Sequence, residues 1–261
     1  MNALDAVRGS EHVLEGCSLP DVLAAAELQT RVDRKYLLTP EAFTDLVASL
    51  RLSHRVLEIG GLRAFRYESV YFDTPDLDSY LGAARGRRRK FKVRTRTYLD
   101  SEACLLEVKR AGGREETVKE RIDHPVEERH SLDAAGRSFV EERLALSGGG
   151  AEALEPTLTT TYRRMTLVDL ASGSRLTCDA GLVLTDQGGR SRGMDDRVLV
   201  ETKASGAAGE ADRLLWRRGF RPVRISKYAV GMAALNPQLP ANRWHRVLRD
   251  HFGSRQESLS S

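Results

Sequence analysis

Cysteine is scarce in this chain: Cys17, Cys104 and Cys178 are the only three in 261 residues, and no two stand in CxxC spacing. Neither a disulfide framework nor a zinc site is therefore expected, and Cys104, inside the apolar run Ala103 to Leu106, reads as a buried reduced thiol. Apolar runs are short. None approaches the length of a membrane-spanning helix, and the acid-bearing N-terminal stretch MNALDAVRGSEHVLEG lacks the apolar centre of a secretory signal. A soluble cytoplasmic protein without a transmembrane segment is the expectation. Aromatics are few as well, with two Trp, seven Phe and seven Tyr, and no stacking series interleaves with the basic residues, so nucleic acid is not expected as a partner. No Walker A or kinase glycine loop is present. No repeat of fixed period occurs. His54, His124, His130 and the other histidines show no ligand spacing and read as surface residues.

Charge is abundant but nearly balanced, with 41 basic against 37 acidic residues and a formal net charge of +4. Such mild basicity matters only where it clusters, which favours a local anion site over a nucleic-acid coat. The clearest cluster is RRKFKVRTRTY, Arg88 to Tyr98. Read as a strand, it sends Arg88, Lys90, Lys92, Arg94 and Arg96 to one face and Arg89, Phe91, Val93, Thr95 and Thr97 to the other. Like charges about 7 Å apart repel, and enclosing them in a sheet costs several kcal/mol unless an anion neutralises them, so a polyphosphate-like ligand is one reading. The other is a solvated face with Phe91 and Val93 in the core.

Strand patterns dominate, at Thr30 to Leu38, Ser53 to Ile59, Arg63 to Phe72, Arg88 to Tyr98, Ala103 to Arg110, Glu115 to Ile122, Thr157 to Asp169, Arg175 to Asp179, Val183 to Asp186 and Arg197 to Lys203. Helices are predicted at Pro40 to Leu50, capped by Thr39, and at Asp76 to Ala84, Leu132 to Leu146, Glu210 to Arg217 and Tyr228 to Leu235. Ser147 to Gly150 (SGGG) reads as a loop within one domain, Gly188-Gly189 as a hairpin turn, and Gly253 to Ser261 as a disordered tail.

Two further strands carry charge at same-face spacing: Glu107 and Lys109 in LLEVKR, and Glu201 and Lys203 in LVETKA. Lys35, Lys119, Arg121 and Arg164 extend the set. If such strands close into a barrel with apolar faces outward, a polar lumen follows; cross-strand ion pairing is the structural alternative. Lys227 opens a helix after Ser226, a candidate cap, and a lysine in a first turn opposes the helix dipole unless it reaches a bound phosphate. The alternative is simple exposure to water. For a divalent metal, which takes one or two carboxylates and completes its shell with phosphate and water, Glu201 is the first candidate, with Glu107 and Asp179 behind it.

In order, RKYLL (Arg34 to Leu38), SVYFDT (Ser69 to Thr74), RTRTY (Arg94 to Tyr98), LLEVKR (Leu105 to Arg110), VKERI (Val118 to Ile122), TYRR (Thr161 to Arg164), LVETK (Leu199 to Lys203) and ISKY (Ile225 to Tyr228) resemble the catalytic domain of the VTC family of polyphosphate polymerases. Each fragment is weak alone; the specificity lies in their order, across about Thr30 to Leu235. The resemblance implies the fold of the triphosphate tunnel metalloenzymes, relatives of the CYTH-like enzymes: α+β, an antiparallel β-barrel tunnel with helices outside. The organisation expected is an N-terminal segment with a short helix at 1–29, the tunnel domain at 30–235 and a partly disordered extension at 236–261. It also implies transfer of the ATP γ-phosphate to a growing polyphosphate chain, with Mn²⁺ or Mg²⁺ as cofactor and ATP and inorganic phosphate chains as partners. By motif position, Lys35, Arg94, Arg96, Lys109, Lys119, Arg164, Lys203 and Lys227 would bind phosphate and Glu201 the metal; Arg94, Arg96, Lys109, Lys203 and Glu201 would be the catalytic set. Arg88, Lys90 and Lys92 would then stand at the tunnel mouth.

Where eukaryotic members carry arginine three residues before the TYRR tyrosine, this chain has Thr159, which removes one phosphate contact or leaves it to Arg163. Two alternatives accompany the polymerase: a triphosphatase of the same fold, in which water replaces the phosphate acceptor, and a noncatalytic polyanion-binding module.

Overall fold

A computed structural model describes residues 1–26, 31–88, 90–111, 117–144 and 150–252. Thr30, Arg89, Glu115, most of the SGGG run and the tail from Gly253 lie outside the described residues. The chain divides into two compact units. One comprises Met1–Arg66, Tyr162–Leu182 and Met194–Arg224, the other Tyr67–Thr161, Val183–Gly193 and Ile225–Ser261.

Eleven strands are described: β1 (Gly16–Cys17), β2 (Arg31–Leu38), β3 (Arg55–Leu57), β4 (Ala64–Asp73), β5 (Phe91–Tyr98), β6 (Ala103–Ala111), β7 (Thr117–Asp123), β8 (Glu155–Val168), β9 (Arg175–Asp186), β10 (Ser191–Met194) and β11 (Val198–Ser205). Their hydrogen-bonded order is β2-β11-β9-β8-β4-β5-β6-β7, with β2 and β7 as end strands among the described residues. The pairings β2–β11–β9 and β4–β5–β6–β7 are antiparallel, as expected for the α+β sheet with helices. The helices are α1 (Ala3–Ser10), α2 (Leu19–Ala26), α3 (Pro40–Ser49), α4 (Asp78–Ala84), α5 (Ala134–Leu144), α6 (Glu210–Arg217), α7 (Lys227–Leu235) and α8 (His245–His251).

Alternation builds the first unit. On β2, Tyr36 and Leu38 are fully buried, and with Val198 and Val200 of β11 they join a core that also takes Phe43, Leu46 and Val47 of α3 and Leu215 of α6. Thr39 caps α3 as its sequence indicates, its side chain accepting from the Ala42 amide at 3.2 Å, with Pro40 at the first helical position. Behind the sheet, fully buried Asp212 accepts from Tyr36 Oη and Thr202 Oγ1, each at 2.7 Å, from Arg34 Nη1 at 3.2 Å and from the Gly209 amide at 3.0 Å. This carboxylate ties β2, β11 and α6 together on the face opposite Lys35 and Glu201. In the second unit, Val70, Phe72, Val93, Leu106 and Val108 pack with Phe139 and Val140 of α5. Helix α7 is buried nearly all round, and a Cβ on its Gly231 would meet Leu158 Cδ2 at 2.6 Å, so only glycine allows that approach.

Several expectations need correction. β5 begins at Phe91, so Arg88 and Lys90 precede the strand, although the Lys90 carbonyl still accepts from the Ala111 amide of β6 at 3.1 Å. The segments read as two strands, Arg175 to Asp179 and Val183 to Asp186, form one: Gly181 adopts φ +61°, which a glycine tolerates, and the chain resumes as strand beyond it. Ser226 stands at the N-cap of α7 without a side-chain capping bond, because its Oγ accepts from Lys92 Nζ at 2.9 Å. His54 and His124 are buried, not superficial. Burial pulls the His54 pKa below 6.5, and its Nδ1 lies 2.9 Å from Ser53 Oγ. The His124 Nε2 lies 3.1 Å from the carbonyls of both Glu128 and Ser131, so a short loop wraps a ring that the sequence leaves looking exposed.

Replacing Asp212 with Ala should strand Arg34, Tyr36 and Thr202 without their shared acceptor. The expected loss is roughly 3–5 kcal/mol, read as a lower urea midpoint at unchanged slope. An unshifted midpoint would remove Asp212 from its role as the tie.

Candidate functional site

In the first unit, three strands set charged residues in rows on one face. Register places Asp33, Lys203 and Arg175 in one row, Lys35, Glu201 and Thr177 in the next, and Leu37, Leu199 and Asp179 in the third. Lys203 Nζ donates to Glu201 Oε1 and, at 2.8 Å, to Asp33 Oδ2; Lys35 Nζ lies 3.8 Å from Glu201 Oε2. Burial alone would push the Glu201 carboxyl up, yet Lys35, Lys203 and Arg164 together hold it well below the ordinary glutamate value. Glu201 is thus ionised while its side chain stays 22% exposed. Arg164 forks onto Asp179, Nε to Oδ1 at 2.6 Å and Nη2 to Oδ2 at 2.8 Å, which holds that guanidinium rigidly in place. Beside Glu201 in its row, the buried Thr177 Oγ1 has no hydrogen-bond partner among the described residues.

The second unit repeats the logic around Glu107. Lys92, Lys109 and Lys119 are register partners across β5, β6 and β7; the next row holds Tyr71, Arg94, Glu107 and Arg121; the next, Ser69, Arg96, Leu105 and Asp123. Burial along β5 alternates as the sequence requires, with Val93, Thr95 and Thr97 inside and Lys92, Arg94 and Arg96 half-buried. Glu107, 2% exposed, accepts from Arg94 Nε at 2.7 Å and Lys119 Nζ at 2.6 Å, and Arg96 Nη2 stands 3.7 Å away. Burial opposes ionisation of Glu107, but Arg94 and Lys119 outweigh it and keep the carboxyl below its ordinary value. The Lys119 pKa is drawn below the lysine value, first by burial and further by Arg94 and Arg121, although Glu107 resists. A phosphate oxygen beside that ammonium would shift its pKa back upward. Lys109 is exposed and Lys227 half-buried at the first position of α7.

Tyr71 is a site residue that strand chemistry alone does not reveal. Its ring centroid lies 5.7 Å from Lys92 Nζ and 5.8 Å from Arg94 Cζ, its hydroxyl accepts from Arg94 Nη1 at 3.3 Å, and it stacks on Tyr228 at 5.1 Å. Tyr228 in turn donates to Asp73, which accepts from the Ser79 and Tyr80 amides at the start of α4. Register opposite Arg94, which no single strand encodes, is what makes Tyr71 visible. Asp33 was within reach of sequence: Asp33 and Lys35 share the same-face spacing that marks Glu107–Lys109 and Glu201–Lys203.

Among the described residues no three His, Cys, Asp or Glu side chains group as a metal cage. A magnesium-like cation delivered on a phosphate chain needs less, one or two carboxylates with phosphate and water completing the shell. Glu201 meets that need, ionised and partly exposed. Glu107 and Asp179 do not, each being closed off by the guanidinium it binds.

Residues 30–236 match the VTC domain. The chain belongs to the VTC domain family. Membership places it with tunnel-fold enzymes of phosphate chains. Solved structures that resemble it include an assigned adenylate cyclase from Bacillus halodurans, at 14% identity and TM-score 0.49, covering 76% of this chain and 94% of that one. Another is a Hippeastrum protein described as an adenylyl cyclase with dominant triphosphatase activity, at 16% identity and TM-score 0.46, covering 78% and 96%. A third, from Pyrococcus horikoshii, has 12% identity and TM-score 0.43, covering 76% and 95%. Similarity this distant transfers neither substrate nor activity. No curated protein matches the chain. Among the described residues, no helix of this VTC domain protein is long and apolar enough to cross a membrane.

For Glu107 the sign of the pH effect is fixed by its lowered pKa. Its ionised form stabilises the fold above the unfolded value near 4.5, and that contribution is lost as pH falls through the lower folded value. Glu107→Gln should therefore cost roughly 3–5 kcal/mol at pH 7 and flatten the acid limb of stability against pH. Urea midpoints from pH 3 to 7 check it; parallel curves for the two proteins would contradict the assignment.

Proposed function

We propose that this VTC domain is a metal-dependent polyphosphate polymerase that transfers the ATP γ-phosphate to a growing phosphate chain in the cytoplasm. The observation that carries the reading is Glu201, ionised between Lys35 and Lys203 on a strand face, with the rigid Arg164–Asp179 fork three strands into the same pairing order. Cations there would bind phosphate oxygens, and an ionised carboxylate among them suits the metal that rides on a polyphosphate.

Phosphoryl transfer asks mainly for positioning and charge neutralisation. In this reading Lys35, Lys203 and Arg164 bind phosphate oxygens in the first unit, while Arg94, Arg96, Lys109 and Lys119 do so in the second, with Lys227 at the start of α7. Arg94 and Lys119 are held in place by Glu107, so little reorganisation accompanies binding. A terminal oxygen of the acceptor chain attacks the γ-phosphorus, the bond to the β–γ bridging oxygen breaks, and ADP leaves with that electron pair. No covalent protein nucleophile is required. A Mn²⁺ or Mg²⁺ ion held by Glu201 would supply further charge neutralisation on the phosphates.

Incubation of the purified protein with ATP and Mn²⁺ should yield a ladder of polymeric phosphate. Orthophosphate from tripolyphosphate without chain growth would replace the polymerase by a triphosphatase, and a thermal upshift with polyphosphate but no turnover would leave a binding module. Glu201→Gln should abolish metal-dependent turnover, by 10²-fold or more on the order of a lost charge-stabilising group, while sparing anion binding. Arg94→Ala should weaken both, and wild-type activity in both variants would remove the assignments.

A further inference from the structure

The cationic face of β5 ends in an aromatic. After Lys92, Arg94 and Arg96 comes Tyr98, the register partner of Tyr67 on β4, and their rings lie 5.1 Å apart at 58°. Tyr67 is 8% exposed and Tyr98 half-buried at the end of the strand, so the first backs the second. Tyr67 is one of the buried core residues, and neither ring has a part in phosphate binding as described above. Between this pair and the Tyr71–Arg94 row lies the pair Ser69–Arg96. The Ser69 Oγ and Arg96 Nε are both buried, and neither finds a hydrogen-bond partner among the described residues. Buried polar groups are as a rule satisfied, so two unsatisfied ones side by side point to a polar ligand.

Resting on ATP as the donor in the reading above, we propose that Tyr98, backed by Tyr67, is the nucleobase subsite. Same-face residues on a strand follow at about 7 Å, and the rows run aromatic, polar, cationic. That is the order of a nucleoside triphosphate's own parts: the base stacks on Tyr98, the sugar and first phosphate lie over Ser69 and Arg96, and the remaining phosphates extend toward Arg94 and Lys92. The subsite recognises a flat π-face without reading its edge, so it takes any nucleoside triphosphate, whereas inorganic chains occupy the cationic rows alone.

Calorimetric titrations with ATP and with tripolyphosphate, both in Mn²⁺, test this. Tyr98→Leu, which keeps apolar bulk but no π-face, should weaken ATP binding about ten-fold or more and leave tripolyphosphate unchanged, while Tyr98→Phe behaves as wild type. Unchanged ATP affinity in Tyr98→Leu, or equal loss for both ligands, would overturn the subsite. The wild-type protein gives a second measurement free of folding effects: ribose 5-triphosphate, which lacks the base, should bind about ten-fold more weakly than ATP, and equal affinity would overturn it. Ring-dependent ATP binding without a polymer ladder would sink the polymerase and keep the subsite; a ladder with ring-independent ATP binding would do the reverse.

Discussion

A carboxylate held ionised among cations on one strand face is the arrangement around which the charged rows of both units are built. Glu107 and Glu201 each do it, and for the same reason: burial by itself would neutralise the acid, but two or more ammonium or guanidinium groups within a few ångströms reverse the balance. The consequence is reciprocal. Cations that would otherwise repel along a strand are fixed by a single counter-charge, and because they outnumber it, a polyanion can still be drawn to them.

Each ionic row is supported from behind. In the first unit Asp212 gathers Tyr36, Thr202 and Arg34, the residues that alternate with Lys35, Glu201 and Lys203, so the apolar and hydrogen-bonded face dictates where the charged face points. In the second, the core of Val70, Phe72, Val93, Leu106 and Val108 does the same for Lys92, Arg94 and Glu107. A one-residue slip of either strand would exchange the two faces, which couples stability directly to the presentation of the site. Asp73 adds a second kind of support, anchoring both the start of α4 and Tyr228, on which Tyr71 stacks.

Much of this was legible because strand alternation is a local property. Period-two patterns located the long strands and sorted Lys92, Arg94 and Arg96 from Val93, Thr95 and Thr97, and the Glu-x-Lys spacings picked out both central carboxylates. Helix α3 was equally plain, since Thr39, Pro40 and the Phe43–Leu46–Val47 stripe agree with one another. Short elements were not. Strands β1 and β10 have two and four residues, too few for periodicity, and Gly181 hides the continuity of β9 because a glycine with positive φ reads as a break.

Sequence by itself determined which residues share a strand face, that the charge is clustered, and, through the order of weak motifs, membership of the VTC domain family. Tertiary structure alone decided who meets whom across strands: Tyr71 against Arg94, Asp33 with Lys203, Arg164 on Asp179, and Tyr67 beside Tyr98. It also buried His54 and His124 and gave Ser226 to Lys92 instead of to its helix. The division has one physical reason. Alternation along a strand follows from backbone geometry within a few residues, whereas register between strands far apart in sequence is set by the collective packing of the cores behind them.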